Sequence, residues 1–62
     1  MTGLQEKRLT DYKSVLEADI KAQMADEAFA VYSKIKGYLQ ALADIEQITT
    51  QEMQELLKQY TF

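Results

Sequence analysis

The stretch of sequence that decides the fold is MADEAFAVYSKIKGYLQALADI, residues 24–45 of a 62-residue chain. Its apolar side chains recur at alternating steps of four and three residues: Met24, Ala28, Val31, Ile35, Tyr38, Leu42 and Ile45. That spacing places them on one face of a helix. A second row broadens this face: Ala25, Phe29, Tyr32 and Leu39. Because so wide an apolar stripe needs neighbours on more than one side, we expect the remaining chain to cover it, with Phe29 in the core.

The segment that follows the stripe carries the clearest helix-start signal in the chain. Thr49 and Glu52 have the spacing of a capping box, and Ile48 and Met53 have the spacing of a hydrophobic staple. We therefore predict a short third helix over residues 50–60. A helix of about three turns is unstable alone, so we expect it to fold back onto the central helix.

The segment before the stripe predicts a first helix over residues 3–23. Thr2 and Gln5 form a second capping-box spacing. An apolar row follows at helical steps: Leu9, Tyr12, Leu16 and Ile20. With the central helix over residues 26–46, the sequence predicts an all-α fold, a three-helix antiparallel arrangement forming a single helical domain over residues 1–62.

The junction at residues 22–26 leaves two arrangements open. It contains no helix breaker, so the first two segments could form one continuous helix of about 40 residues. The apolar row, however, changes direction by about 100° across the junction, at 100° per residue. A chain reversal produces such a change, and Asp26 is an acceptable N-cap for a new helix. We favour the hairpin.

Composition argues against an enzyme and against a bound cofactor or metal ion. The chain has no cysteine and no histidine, and no segment has the spacing of a calcium loop or a glycine-rich phosphate loop. Its neighbouring acidic pairs are one or two residues apart, so on a helix they point in different directions. We predict no catalytic residue, no cofactor and no metal site.

The distribution of charged residues along the chain indicates an alternative function. Residues 1–36 hold six basic and six acidic side chains, whereas residues 37–62 hold one basic and four acidic, which places the net charge of −3 in the C-terminal part. An acidic C-terminal part would repel a phosphate backbone. The alternative is therefore an accessory nucleic-acid-binding protein that uses the basic side chains of the first helix: Lys7, Arg8, Lys13 and Lys21.

Protein–protein interaction is the function that the sequence favours. Tyrosine suits interfaces because it combines an apolar ring with a polar tip. The candidate interaction surface comprises Tyr32, Tyr38, Tyr60 and Phe62. We expect a small cytoplasmic regulator or adaptor that associates with itself as a homodimer, binds an unidentified protein partner and does not bind membranes, since no segment reaches membrane-spanning length.

The run Gly37-Tyr38-Leu39-Gln40-Ala41-Leu42, followed by Ile48-Thr49 and Glu52, resembles the second half of small uncharacterised helical proteins. These proteins occur in plasmids, phages and integrative elements of Gram-positive bacteria. The resemblance covers only the C-terminal half of this chain. It implies accessory or regulatory work, and it transfers no functional residue.

Overall fold

A computed structural model describes residues 1–60 and shows three α-helices in that range: α1 (Gly3–Lys21), α2 (Ala25–Asp44) and α3 (Thr50–Lys58). The central helix α2 packs against both α1 and α3. Short connections reverse the chain between successive helices, so each helix runs antiparallel to the one before it. The predicted three-helix fold is confirmed, and the hairpin is the arrangement present at residues 22–24. The candidate residue Phe62 lies outside the described residues.

The buried core is centred on α2. Two of its side chains, Ile35 and Leu39, are fully buried. The core residues are Leu9, Leu16, Ala28, Ile35, Leu39, Leu42, Ile48 and Tyr60. The core residues outside α2 come from α1 and from the two positions that flank α3, so the middle of the α2 stripe is covered from more than one side as predicted. The two ends of the stripe are not covered, since Met24 is 42% exposed and Ile45 is 62% exposed.

Two of the three helix starts are capped as the sequence predicts. At α1, the Thr2 hydroxyl accepts a hydrogen bond from the Gln5 backbone N–H (3.2 Å), and the Gln5 side chain accepts one from the Thr2 N–H (2.9 Å). At α3, Thr49 and Glu52 exchange the equivalent pair, each at 3.0 Å. These bonds satisfy amide groups that a helix start otherwise leaves unpaired.

The predicted cap of α2 is wrong. The N-cap is Met24, which makes no side-chain capping bond, and Asp26 lies inside the first helical turn. The physical reason is the tightness of the preceding turn: the Met24 N–H already bonds the Asp19 carbonyl, and the Met24 carbonyl accepts the first helical bond, from the Ala28 N–H. Asp26 still favours the helix there, because its negative charge faces the positive end of the helix dipole.

Both inter-helix turns are Schellman motifs built without glycine. After α1, Gln23 adopts a left-handed backbone conformation with φ of 60°, and its N–H bonds the Ile20 carbonyl. The following amide, Met24 N–H, bonds the Asp19 carbonyl (2.9 Å). Glu46, with φ of 61°, repeats this arrangement after α2. Glycine is the usual residue at this position, so neither Gln23 nor Glu46 is recognisable from its residue type as the left-handed residue of a turn.

Replacing Gln23 by glycine is expected to stabilise the fold by about 1 kcal/mol. A left-handed conformation costs a residue with a Cβ atom about 1–2 kcal/mol, and the greater freedom of glycine in the unfolded chain offsets part of the gain. Urea unfolding followed by circular dichroism measures the change. Ala22→Gly is the matched control, since Ala22 has φ of −81° and gains nothing from glycine. Equal effects from the two substitutions would contradict this account of the turn.

Acid is expected to weaken the start of α3. Hydrogen bonds from Thr49 hold the pKa of Glu52 below its ordinary value of 4.5. A pKa lowered in the folded state contributes stability that is complete above the ordinary pKa and is lost as pH falls through the folded-state pKa. Glu52→Gln keeps an accepting oxygen but cannot titrate. The unfolding midpoint of Glu52→Gln should therefore fall less than that of the wild type between neutral pH and about pH 3. Equal falls in the two proteins would rule out the Glu52 carboxylate as the cause of the acid sensitivity.

The prediction that Phe29 lies in the core is wrong, since its side chain is 63% exposed. At about 100° per residue, Phe29 lies about 120° around α2 from the buried Ile35. The helix on that side, α3, has nine residues and spans about 13 Å, whereas the 20 residues of α2 span about 30 Å. The short third helix therefore covers only part of α2.

Candidate interaction surface

Two contacts define the two sides of the layer formed by α1 and α2. On one side the rings of Tyr12 and Tyr38 meet edge to face, with centroids 6.1 Å apart and an interplanar angle of 72°. On the other side the Lys13 Nζ lies 6.0 Å from the centroid of the Tyr60 ring, which follows α3. We call these the Tyr12 side and the α3 side. The third helix covers the α3 side and does not cover the Tyr12 side.

The predicted tyrosines do not form one surface. Tyr38 is half-buried on the Tyr12 side, where it meets Tyr12. Tyr32 is also half-buried, but it projects from α2 about 120° away from Tyr38, towards the α3 side. Tyr60 is buried in the core, and this burial raises its pKa above the ordinary tyrosine value. Its ring therefore contributes to holding α3.

The four basic residues of the alternative patch point in different directions. Measured around α1 from the buried Leu16 at about 100° per residue, Arg8 and Lys13 lie on opposite sides. Lys7 points away from the core, and Lys21 lies in the last turn of the helix. All four are exposed. The fold thus distributes these charges around α1 and assembles no single basic stripe.

A first exposed apolar patch lies at the end of the molecule formed by the α1–α2 turn. It consists of Ile20, Met24 and Phe29, which are large side chains that remain exposed. We call it the loop-end patch. The third helix stops short of this end, so most of the Phe29 side chain remains exposed. This patch was not predicted from the sequence, because the exposure of the patch depends on how far α3 extends along α2.

A second exposed set follows the Tyr12 side of α1. Leu4 is 70% exposed and Val15 is 49% exposed, with Arg8 and Asp11 between them, also exposed. The steps between these four residues are four, three and four, so they form one line along the helix. We call Leu4, Arg8, Asp11 and Val15 the α1 seam. This line lies about 120° around α1 from the buried Leu9 and Leu16. The steps of four, three and four residues can be read from the sequence and would have identified the α1 seam.

The α1 seam contains a shallow hollow and an unused pair of charges. The hollow has a volume of about 370 Å³ and is lined by Leu4, Lys7, Arg8, Asp11 and Tyr12. Within residues 1–60, the side chains of Arg8 and Asp11 make no hydrogen bond or ion pair. A cation and an anion are therefore both available to a molecule that docks there.

Two further features of residues 1–60 bear on function: the arrangement of the acidic side chains and a second surface hollow. In that part of the chain no three acidic side chains come together in a way that could hold a metal ion. A second surface hollow, of about 420 Å³, lies at the α2–α3 connection beside Glu46 and Glu52. No helix in the described range is long and apolar enough to cross a membrane.

Comparison with known proteins gives no relative. The chain matches no protein-family model, no curated protein sequence and no solved structure. The site must therefore be interpreted from its own residues. The two exposed apolar sets, the loop-end patch and the α1 seam, are the features that the fold leaves unexplained.

Proposed function

We propose that this chain is a non-enzymatic protein–protein interaction module, a small regulator or adaptor that also associates with itself. The exposure of Phe29 is the observation that carries the proposal. Single apolar side chains are common on protein surfaces, but grouped large ones mark contact sites. Phe29 is grouped with Ile20 and Met24 at one end of the molecule.

The chemistry of the loop-end patch suits a protein partner. Aromatic residues and methionine are enriched in interface cores, because they bury much apolar area and adapt to the opposing surface. The patch lies beside the α1–α2 turn, on the part of the molecule that the nine-residue α3 does not reach. An amphipathic helix from a partner could dock there and cover the apolar side chains that α3 leaves exposed.

Site-specific photocrosslinking tests this proposal. A photoreactive phenylalanine analogue at position 29 should capture a discrete protein in cells of the natural source, and Phe29→Asp should abolish copurification of that same protein. The matched control is the analogue at Gln40, which lies on an exposed polar part of the same helix. Adducts that are identical from positions 29 and 40 would refute the proposed contact.

The alternative, accessory nucleic-acid binding, has less support because its basic side chains diverge around α1. The two functions differ in their response to salt. Nucleic-acid binding would give a mobility shift that weakens steeply with salt and disappears when Lys7 and Lys13 are changed to glutamate. No shift at low salt would leave the protein-interaction proposal as the explanation for the exposed residues.

A further inference from the structure

We infer that the α1 seam is the interface with a second copy of this chain, and that the two α1 helices pack antiparallel across a two-fold axis. This inference rests on the self-association in the proposed function and assigns it to particular residues. Three properties of the seam point to a second copy of the chain as its partner: its spacing, its hollow and the order of its charges.

The spacing of the seam is that of a helix–helix interface. Apolar residues alternating at steps of three and four form the narrow line along which two helices pack. On α1 this line has Leu4 and Val15 at its ends, with the charged residues Arg8 and Asp11 at the two positions between them. It lies well away from the side that packs on α2. A second helix can therefore dock without disturbing the core.

The hollow in the seam has the shape that a partner helix requires. In knobs-into-holes packing, one side chain enters a hole formed by four residues of the facing helix. Leu4, Lys7, Arg8 and Asp11 are spaced as the four residues of such a hole, and they line the hollow of about 370 Å³. In an antiparallel pair centred between Leu9 and Thr10, Val15 of the second copy faces Leu4 at the edge of this hole, and Asp11 of the second copy faces Arg8 within it.

The order of charges selects the antiparallel orientation. About the same centre, Arg8 of each copy faces Asp11 of the other, so one pair of helices forms two identical ion pairs. A parallel pair would instead place Arg8 opposite Arg8 and Asp11 opposite Asp11, which is repulsive. Charged residues within a helix seam reduce affinity but fix orientation and register. The seam is therefore complementary to itself under a two-fold rotation, as a symmetric dimer requires.

The size of the seam predicts a weak dimer. The molecule measures 35 × 20 × 15 Å, so its broad face offers about 700 Å², close to the roughly 800 Å² per partner of a standard interface. The seam occupies only part of that face. We therefore expect dissociation at micromolar concentrations and a monomer–dimer equilibrium that sedimentation can follow.

A charge exchange tests the interface. Arg8→Asp alone and Asp11→Arg alone should each weaken dimerisation about tenfold or more, because each places two like-charged pairs in the seam. The double variant carrying both substitutions restores opposite charges and should return the dissociation constant to near that of the wild type. Sedimentation equilibrium measures the constants, and circular dichroism shows whether each variant is folded.

A matched exchange provides the control. Glu17→Lys and Lys21→Glu alter exposed charges of α1 that lie about 150° and 110° around the helix from the middle of the seam, so neither should change dimerisation. A monomeric wild type at high micromolar concentration, or a double variant no better than the single ones, would overturn the inference. Photocrosslinking at position 29 is independent of these residues. It can therefore succeed while the dimer fails, which separates this inference from the proposed function.

Discussion

Ile35→Ala is expected to remove a large share of the protein's folding stability. Ile35 is 0% exposed and lies at the centre of α2, where α1 and α3 are packed on either side. Truncating a buried isoleucine to alanine costs about 2–5 kcal/mol. A domain of this length buries only about 60% of its extended surface, and its total stability lies near the low end of about 5–15 kcal/mol. One such truncation removes most of that stability.

Urea unfolding followed by the helical circular dichroism signal measures this loss. Ile45→Ala is the matched control, because it deletes the same atoms from a side chain that is 62% exposed. At a protein concentration too low for self-association, it should change the unfolding free energy by no more than about 0.5 kcal/mol. Similar losses from the two variants would contradict the placement of Ile35 at the centre of the core.

Tyr60→Ala is expected to release α3 from the rest of the molecule. The ring of Tyr60 is buried and also receives the Lys13 ammonium over its face. Truncating a buried aromatic residue costs about 3–5 kcal/mol. Helices shorter than about 12–15 residues are unstable alone, and α3 has nine. Once undocked, α3 should therefore lose its helical structure.

Hydrogen exchange resolved by residue distinguishes release of α3 from a general loss of stability. In Tyr60→Ala the amides of Met53 to Lys58 should lose protection by a larger factor than those at the centre of α2. Tyr60→Phe keeps the ring and should remain within about 1 kcal/mol of the wild type. Unchanged protection in α3 of the alanine variant would show that the ring does not hold this helix.

Features that depend on neighbouring residues were predictable from the sequence. The two capping boxes are local, because each joins residues three apart, and both formed as predicted. The central stripe was also predictable, since Ile35, Leu39 and Leu42 share one face of α2 wherever that helix packs. These features need no knowledge of how the helices are arranged.

Features that depend on the tertiary arrangement of the helices were not predictable from the sequence. Phe29 shares the broad apolar face, but its exposure is decided by where α3 ends. The reversal at residues 22–26 was predicted from the apolar row, but Gln23 could not be identified as its left-handed residue, because such a residue other than glycine has no distinct sequence signal. The predicted tyrosine surface depended on which side of α2 each helix covers: Tyr38 and Tyr32 lie on different sides, and Tyr60 lies inside.

The shortness of the two connections has a kinetic consequence. Three residues separate α1 from α2 and five separate α2 from α3, so most native contacts join segments that are close along the chain. Chains with such low contact order fold within about microseconds to milliseconds, because little loop entropy is lost before contacts form. The chain also has no proline, so no slow isomerisation can delay refolding. After dilution from denaturant, the whole population should regain its helices in a single fast phase.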